Sequence, residues 1–153
     1  SYAVTVTDIV GCQATAGFII TEPSQIVLTN VNSNVTCNGA STGSIDLVVN
    51  GGNTSYTYLW SNGATSEDLV NILAGTYNVT VTDANNCSAS TSINLTQPLP
   101  ITISSSSVNA ACSGGNSGSI QINVSGGFAP YSYSWSNGAT TQNISNLSPG
   151  SYD

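Results

Sequence analysis

The chain has 153 residues, 39% of them apolar, with no Lys, Arg, His or Met, and its seven carboxylates leave a net charge of −7. Without a side-chain cation, the phosphate neutralisation that drives nucleic-acid binding is excluded and anionic membranes are disfavoured. With no His or Lys, the commonest general bases are missing, which argues against an enzyme.

Read from its start, the chain opens with Tyr2, Val4 and Val6 at alternate positions, a strand pattern, followed by Cys12 and by Thr21-Glu-Pro23. Ile26–Thr29 reads as the next strand. Gly43–Asn50 follows, with Ile45, Leu47 and Val49 on one face. Tyr56–Trp60 is a further strand, closed by the turn Ser61-Asn-Gly63, and a short extended piece spans Asp68–Ile72. Thr76–Asp83, the turn Ala84-Asn-Asn86 and a strand over Ser90–Thr96 complete the set. No apolar run is long enough to span a membrane, and no signal peptide is present.

The same pattern then recurs. Slid by 75 residues, the chain matches itself without a gap: Cys37 falls on Cys112, Gly51-Gly52 on Gly126-Gly127, and Trp60-Ser-Asn-Gly-Ala-Thr65 on Trp135-Ser-Asn-Gly-Ala-Thr140. Tyr77 falls on Tyr2 and Tyr152, Cys87 on Cys12, Pro98 on Pro23. A long fixed shift means one structural unit in tandem. It frames residues 1–23 as the end of one repeat, 24–98 as a complete repeat and 99–153 as the front of a third, a segment of a longer array. Ile45, Leu47 and Val49 become Ile120, Ile122 and Val124, whereas outward Asp46 and Val48 become Gln121 and Asn123. Inward positions keep their chemistry and outward ones drift, as a sandwich core requires.

The expected fold is therefore all-β, a tandem of immunoglobulin-like β-sandwich repeats. Trp60 and Trp135 occupy the third-strand position where such sandwiches bury a Trp. Tyr77, with Tyr2 and Tyr152, fits a tyrosine corner, whose hydroxyl bonds back to the preceding loop. So small a core invites a staple. Two cysteines per repeat suggest disulfides and an oxidising compartment. Cys37–Cys87 within the repeat is the favoured pairing, with Cys12 and Cys112 bridged to residues outside the chain. The rival is a pair of junction bridges, Cys12–Cys37 and Cys87–Cys112. Zinc fits poorly, since there is no His and no CxxC spacing.

Two further groups invite a functional reading. Asp83 recurs as Asp8, either as a turn cap or as one ligand of a weak calcium site; no other cofactor is expected. Tyr56, Tyr58 and Trp60 share one strand face, more in keeping with a core than with a sugar-stacking platform. Glu67-Asp68, the one adjacent carboxylate pair, becomes Gln142-Asn143 and reads as a solvated loop.

The ordered motifs Cys-Asn-Gly-Ala-Ser-Thr-Gly-Ser-Ile (37–45), Gly-Gly (51–52), Tyr-Thr-Tyr-Leu-Trp-Ser-Asn-Gly-Ala-Thr (56–65) and Leu-Ala-Gly-Thr-Tyr-Asn-Val-Thr-Val-Thr-Asp-Ala-Asn-Asn-Cys (73–87) resemble the SprB-type repeat. That resemblance implies stalk repeats of large cell-surface adhesins of gliding Bacteroidota, exported by the type IX secretion system. Neighbouring repeats would then be the main partners, with surface polysaccharide or the gliding and secretion machinery as others. Two departures stand out: Asn86 precedes Cys87 where the family commonly has Gly, and Asn53-Thr-Ser55 replaces a Pro-Tyr step that survives as Pro130-Tyr131. Short Pro-bearing linkers imply a semi-rigid array. The alternatives are repeats that bind polysaccharide or partner chains themselves, or that pack into a filament through edge strands lacking Lys.

Overall fold

A computed structural model describes residues 1–111 and 115–153. The described residues form eleven strands and no helix: β1 (Tyr2–Thr7), β2 (Gln13–Phe18), β3 (Val27–Ser33), β4 (Gly43–Asn50), β5 (Thr57–Trp60), β6 (Leu69–Ile72), β7 (Gly75–Thr82), β8 (Ser88–Leu95), β9 (Thr102–Val108), β10 (Gly118–Ser125) and β11 (Ile144–Leu147). They make four small sheets, ordered β1-β2, β3-β4-β6, β5-β7-β8 and β11-β10-β9. The fold is all-β and of the sandwich type. β4 falls where alternation places it; β3 runs four residues past the expected Thr29, and the other ends shift by one or two.

The repeats share their irregularities as well as their strands. β4 pairs antiparallel with β6 through a bulge between Gly43 and Ser44, and β10 pairs with β11 through the same bulge between Gly118 and Ser119. The sequence dictates the place. A Cβ on Gly43 would lie 2.9 Å from the Ile72 carbonyl and 2.9 Å from Leu95 Cδ1, and one on Gly118 would lie 2.9 Å from the Leu147 carbonyl. Gly51 (φ 79°) and Gly126 (φ 79°) turn in the left-handed region, each with its Cβ position 2.0 Å from a backbone oxygen, of Gln25 and Pro100 respectively. No side chain fits there.

Contacts group the chain into two units. The first holds residues 1–31, 46–68 and 77–92, and its buried apolar side chains are Ile26, Leu47, Trp60, Val79 and Val81. β5 lies antiparallel to β7, with Trp60 opposite Val79 and Tyr58 opposite Val81. The second holds residues 32–45, 69–76 and 93–153, with Val35, Ile45, Leu69, Ile93, Leu95, Ile144 and Leu147 buried. There Val35 N–H donates to the Thr96 carbonyl, tying the β3–β4 loop to the end of β8. Among the described residues no buried side-chain nitrogen or oxygen is left without a partner. With no cation in the chain, neutral and carboxylate hydrogen bonds carry all of this polar satisfaction.

Candidate functional site

Trp60 closes β5 and Trp135 lies outside any strand, yet their polar edges are satisfied identically. Trp60 Nε1 donates to the Ser66 carbonyl at 2.8 Å, and Trp135 Nε1 to the Thr141 carbonyl at 2.8 Å. The turn after each is closed by Gly63 N–H and Gly138 N–H donating to the Trp carbonyl. Trp60 is buried and Trp135 half-buried. The tyrosine corner is present at Tyr152, whose hydroxyl donates to the Ser148 carbonyl at 2.9 Å. Tyr77 is half-buried at the start of β7, whereas Tyr2 is exposed. Tyr56 and Tyr58 are half-buried beside Trp60, and Tyr56 donates its hydroxyl to the Gly51 carbonyl, as Tyr131 does to Gly126. No aromatic side chain of residues 24–98 is exposed, so the strand offers no sugar-stacking row.

Asp83 caps its turn. Oδ2 accepts from Asn53 N–H at 3.0 Å, and Oδ1 accepts from Asn85 N–H and Cys87 N–H at 2.9 Å each. These backbone donors, Asn53 first, hold its carboxyl below the ordinary Asp value, against the opposing effect of desolvation. Asp8 repeats the turn with Val10 N–H at 2.9 Å and Cys12 N–H at 2.8 Å. Of the two roles the sequence offers Asp83, a turn cap or a ligand of a weak calcium site, these bonds make it a cap. Among the described residues no group of three or more Cys, Asp or Glu is placed to hold a metal. Asn86 adopts φ 63° where Gly11 has φ 91°, so the departure from Gly falls on a position Asn tolerates.

The carboxylate pair does more than its sequence reading allowed. Asp68 Oδ1 accepts from Leu47 N–H at 2.9 Å, and Asn143 Oδ1 accepts from Ile122 N–H at 3.0 Å. The fold needs the acceptor there, not the charge, and the Asp-to-Asn correspondence was the signal. Tyr58 donates its hydroxyl to Glu67; burial, followed by that bond, pushes its pKa up to about 12.

Cys12, Cys37 and Cys87 are exposed free thiols, so neither Cys37–Cys87 nor Cys12–Cys37 is formed. Cys112 lies outside the described residues, and with it half of the rival Cys87–Cys112 bridge. The Cys37 loop is bonded to the residues that follow β8: Gly39 N–H donates to Gln97 Oε1 at 2.8 Å, and Asn38 Nδ2 to the Pro98 carbonyl at 3.0 Å. Cys37 lines a groove of about 430 Å³ with Asn38, Pro98, Ile101, Gly127 and Phe128.

The linker in that groove is held from both sides. Asn38 and Gly39 grip Gln97 and Pro98, and Gly127 N–H donates to the Leu99 carbonyl at 2.8 Å. At the other linker, Gly52 N–H donates to the Ser24 carbonyl at 2.7 Å.

The SprB repeat family model matches residues 29–65 and again residues 104–140. The chain carries SprB-type repeats. Both matched segments run from within the first strand of the repeat, through the bulged glycine and the Gly-Gly turn, to the turn after the Trp. No curated protein and no solved structure matches the chain. Among the described residues no helix is long and apolar enough to cross a membrane.

Proposed function

We propose that these SprB repeats form the shaft of a long extracellular adhesin at a bacterial cell surface, holding an adhesive tip away from the cell and passing force along the chain. Membership of the family supports a cell-surface adhesin. The observation that carries the finer reading is the clamped linker: Gln97–Leu99 is hydrogen-bonded to Asn38 and Gly39 on one side and to Gly127 on the other. A free linker swivels; a linker bonded on both sides with two prolines transmits load. The all-β fold, with its carboxylates serving as caps and acceptors, fits a non-enzymatic role.

Neighbouring repeats are the principal partners in this reading, and export by the type IX system with a part in gliding belongs to the same proposal. The rival, a repeat that binds polysaccharide itself, is disfavoured by the half-buried or buried state of Tyr56, Tyr58, Trp60 and Tyr77. The test uses intact cells carrying the parent protein and a fluorescent antibody fragment against residues 24–98. Label on intact cells, standing out from the cell outline, is the expected result, and spots that travel add the gliding role. Label that appears only after permeabilisation overturns the proposal.

A further inference from the structure

β3 is the outer strand of its sheet, as β9 is of the sheet that repeats it, so in both stretches the fold leaves the first strand with one open edge. The β9–β10 register sets Ser106 opposite Gln121 and Ser104 opposite Asn123. Carried back by 75 residues, it sets Val31 opposite Asp46 and Thr29 opposite Val48. Ile45 and Leu47 are buried, so Asp46 and Val48 point outward, and Val27, Thr29 and Val31 share that outer face. Val27 is 52% exposed, Val31 71% and Val48 44%.

The two edges differ in chemistry. Val27, Thr29, Val31 and Val48 correspond to Thr102, Ser104, Ser106 and Asn123, all of them polar. Natural edge strands are blunted by Lys, by Pro or by other charges. Residues 27–33 hold neither a charge nor a proline. β3 is therefore an aliphatic edge with nothing on it to repel a further strand.

We propose that β3 pairs antiparallel with β3 of a second copy about a two-fold axis at Thr29, extending the sheet across two chains. The strand itself names the occupant. Its outward row Val27, Thr29, Val31 reads the same in both directions. A copy turned end for end thus sets Val27 opposite Val31, Thr29 opposite Thr29 and Val31 opposite Val27, a self-complementary contact of the kind two-fold dimers require. In an antiparallel sheet every second residue of β3 turns its N–H and C=O away from β4, and these groups gain partners in the copy. Charge does not oppose the union. The two Asp46 carboxylates stand three strand spacings apart, at least roughly 14 Å at ~4.8 Å each, beyond the Debye length of about 8 Å at physiological salt. β9 offers only Thr and Ser outward, so the contact is confined to β3.

Sedimentation equilibrium of the 153-residue chain at physiological salt, at concentrations up to roughly millimolar, tests this. A monomer–dimer equilibrium is expected. Val27→Glu and Val31→Lys each set charges against aliphatic partners at both ends of the contact, and each should raise the dissociation constant roughly tenfold or more. Both positions are exposed, so neither variant should move the thermal midpoint read by circular dichroism. An equimolar mixture of the two sets the introduced carboxylate opposite the introduced ammonium at one end and keeps a Val–Val pair at the other, so dimers should return. Ser106→Lys, the same change on β9, should leave the equilibrium as it is. A chain that stays monomeric throughout overturns the proposal. So does association that persists in both variants, a loss as large in Ser106→Lys as in Val31→Lys, or a mixture that yields no dimer.

Discussion

Residues 24–98 and the segments on either side set corresponding residues in different surroundings. Leu95 is 2% exposed and its counterpart Ile20 is 77% exposed; Trp60 is buried and Trp135 only half so. Local structure nevertheless survives in the flanking segments. The turn at Asp8, the bulge at Gly118, the Trp135 turn and the Gly126-Gly127 bend are all formed as in the centre. The difference teaches which forces are local. Caps, bulges and left-handed glycines arise from neighbouring residues, whereas burial depends on residues distant in sequence.

The sharpest way to break this contrast is at the tryptophans. Trp60→Ala should cost about 3–5 kcal/mol by cavity formation and Trp135→Ala clearly less, measured by denaturant unfolding followed by circular dichroism. Equal losses would mean that Trp135 is as well packed as Trp60. Next, Leu95→Ala should cost about 2–5 kcal/mol, whereas Ile20→Ala should stay within about 0.5 kcal/mol.

Asp83→Ala strands three backbone N–H groups and should lower the thermal midpoint of the central repeat more than Asp8→Ala, which strands two. The pH dependence has a definite sign. Because the fold depresses the Asp83 pKa, its contribution is present above the ordinary Asp value of about 3.9 and is lost as pH falls through the lower folded value. An acid limb that is unchanged in Asp83→Asn would remove this assignment. Tyr58 gives a smaller effect at the other extreme. Its neutral form is favoured, so that stability is present below the ordinary value of about 10 and fades as pH rises through about 12. Glu67→Gln should bring the ultraviolet absorbance titration of Tyr58 only part of the way down, since burial is the larger cause. The smallest expected effect is none: calcium should leave the thermal midpoint where it is, since both oxygens of Asp83 already accept hydrogen bonds from backbone N–H groups.

Much of this was legible beforehand. Alternation along Gly43–Asn50 located β4 to the residue, and the Ile45-to-Ile120 and Leu47-to-Ile122 correspondences separated inward from outward positions. The length of β3 was not legible, because Asn30-Val-Asn-Ser33 carries no apolar alternation and becomes strand through pairing with β4. Asp68 is exposed, as its loop reading implies, but its acceptor role was not legible. A side-chain acceptor serving an amide 21 residues away leaves no trace in spacing, only in the persistence of an oxygen at Asn143. The cysteines were not legible in the same way, because an even count gives a parity and not a place in the fold.

The exposed thiols have a consequence of another kind. Cys12, Cys37 and Cys87 stand at the surface, so a thiol-directed label can be attached at any of them without entering the packing of Trp60, Val79 and Val81.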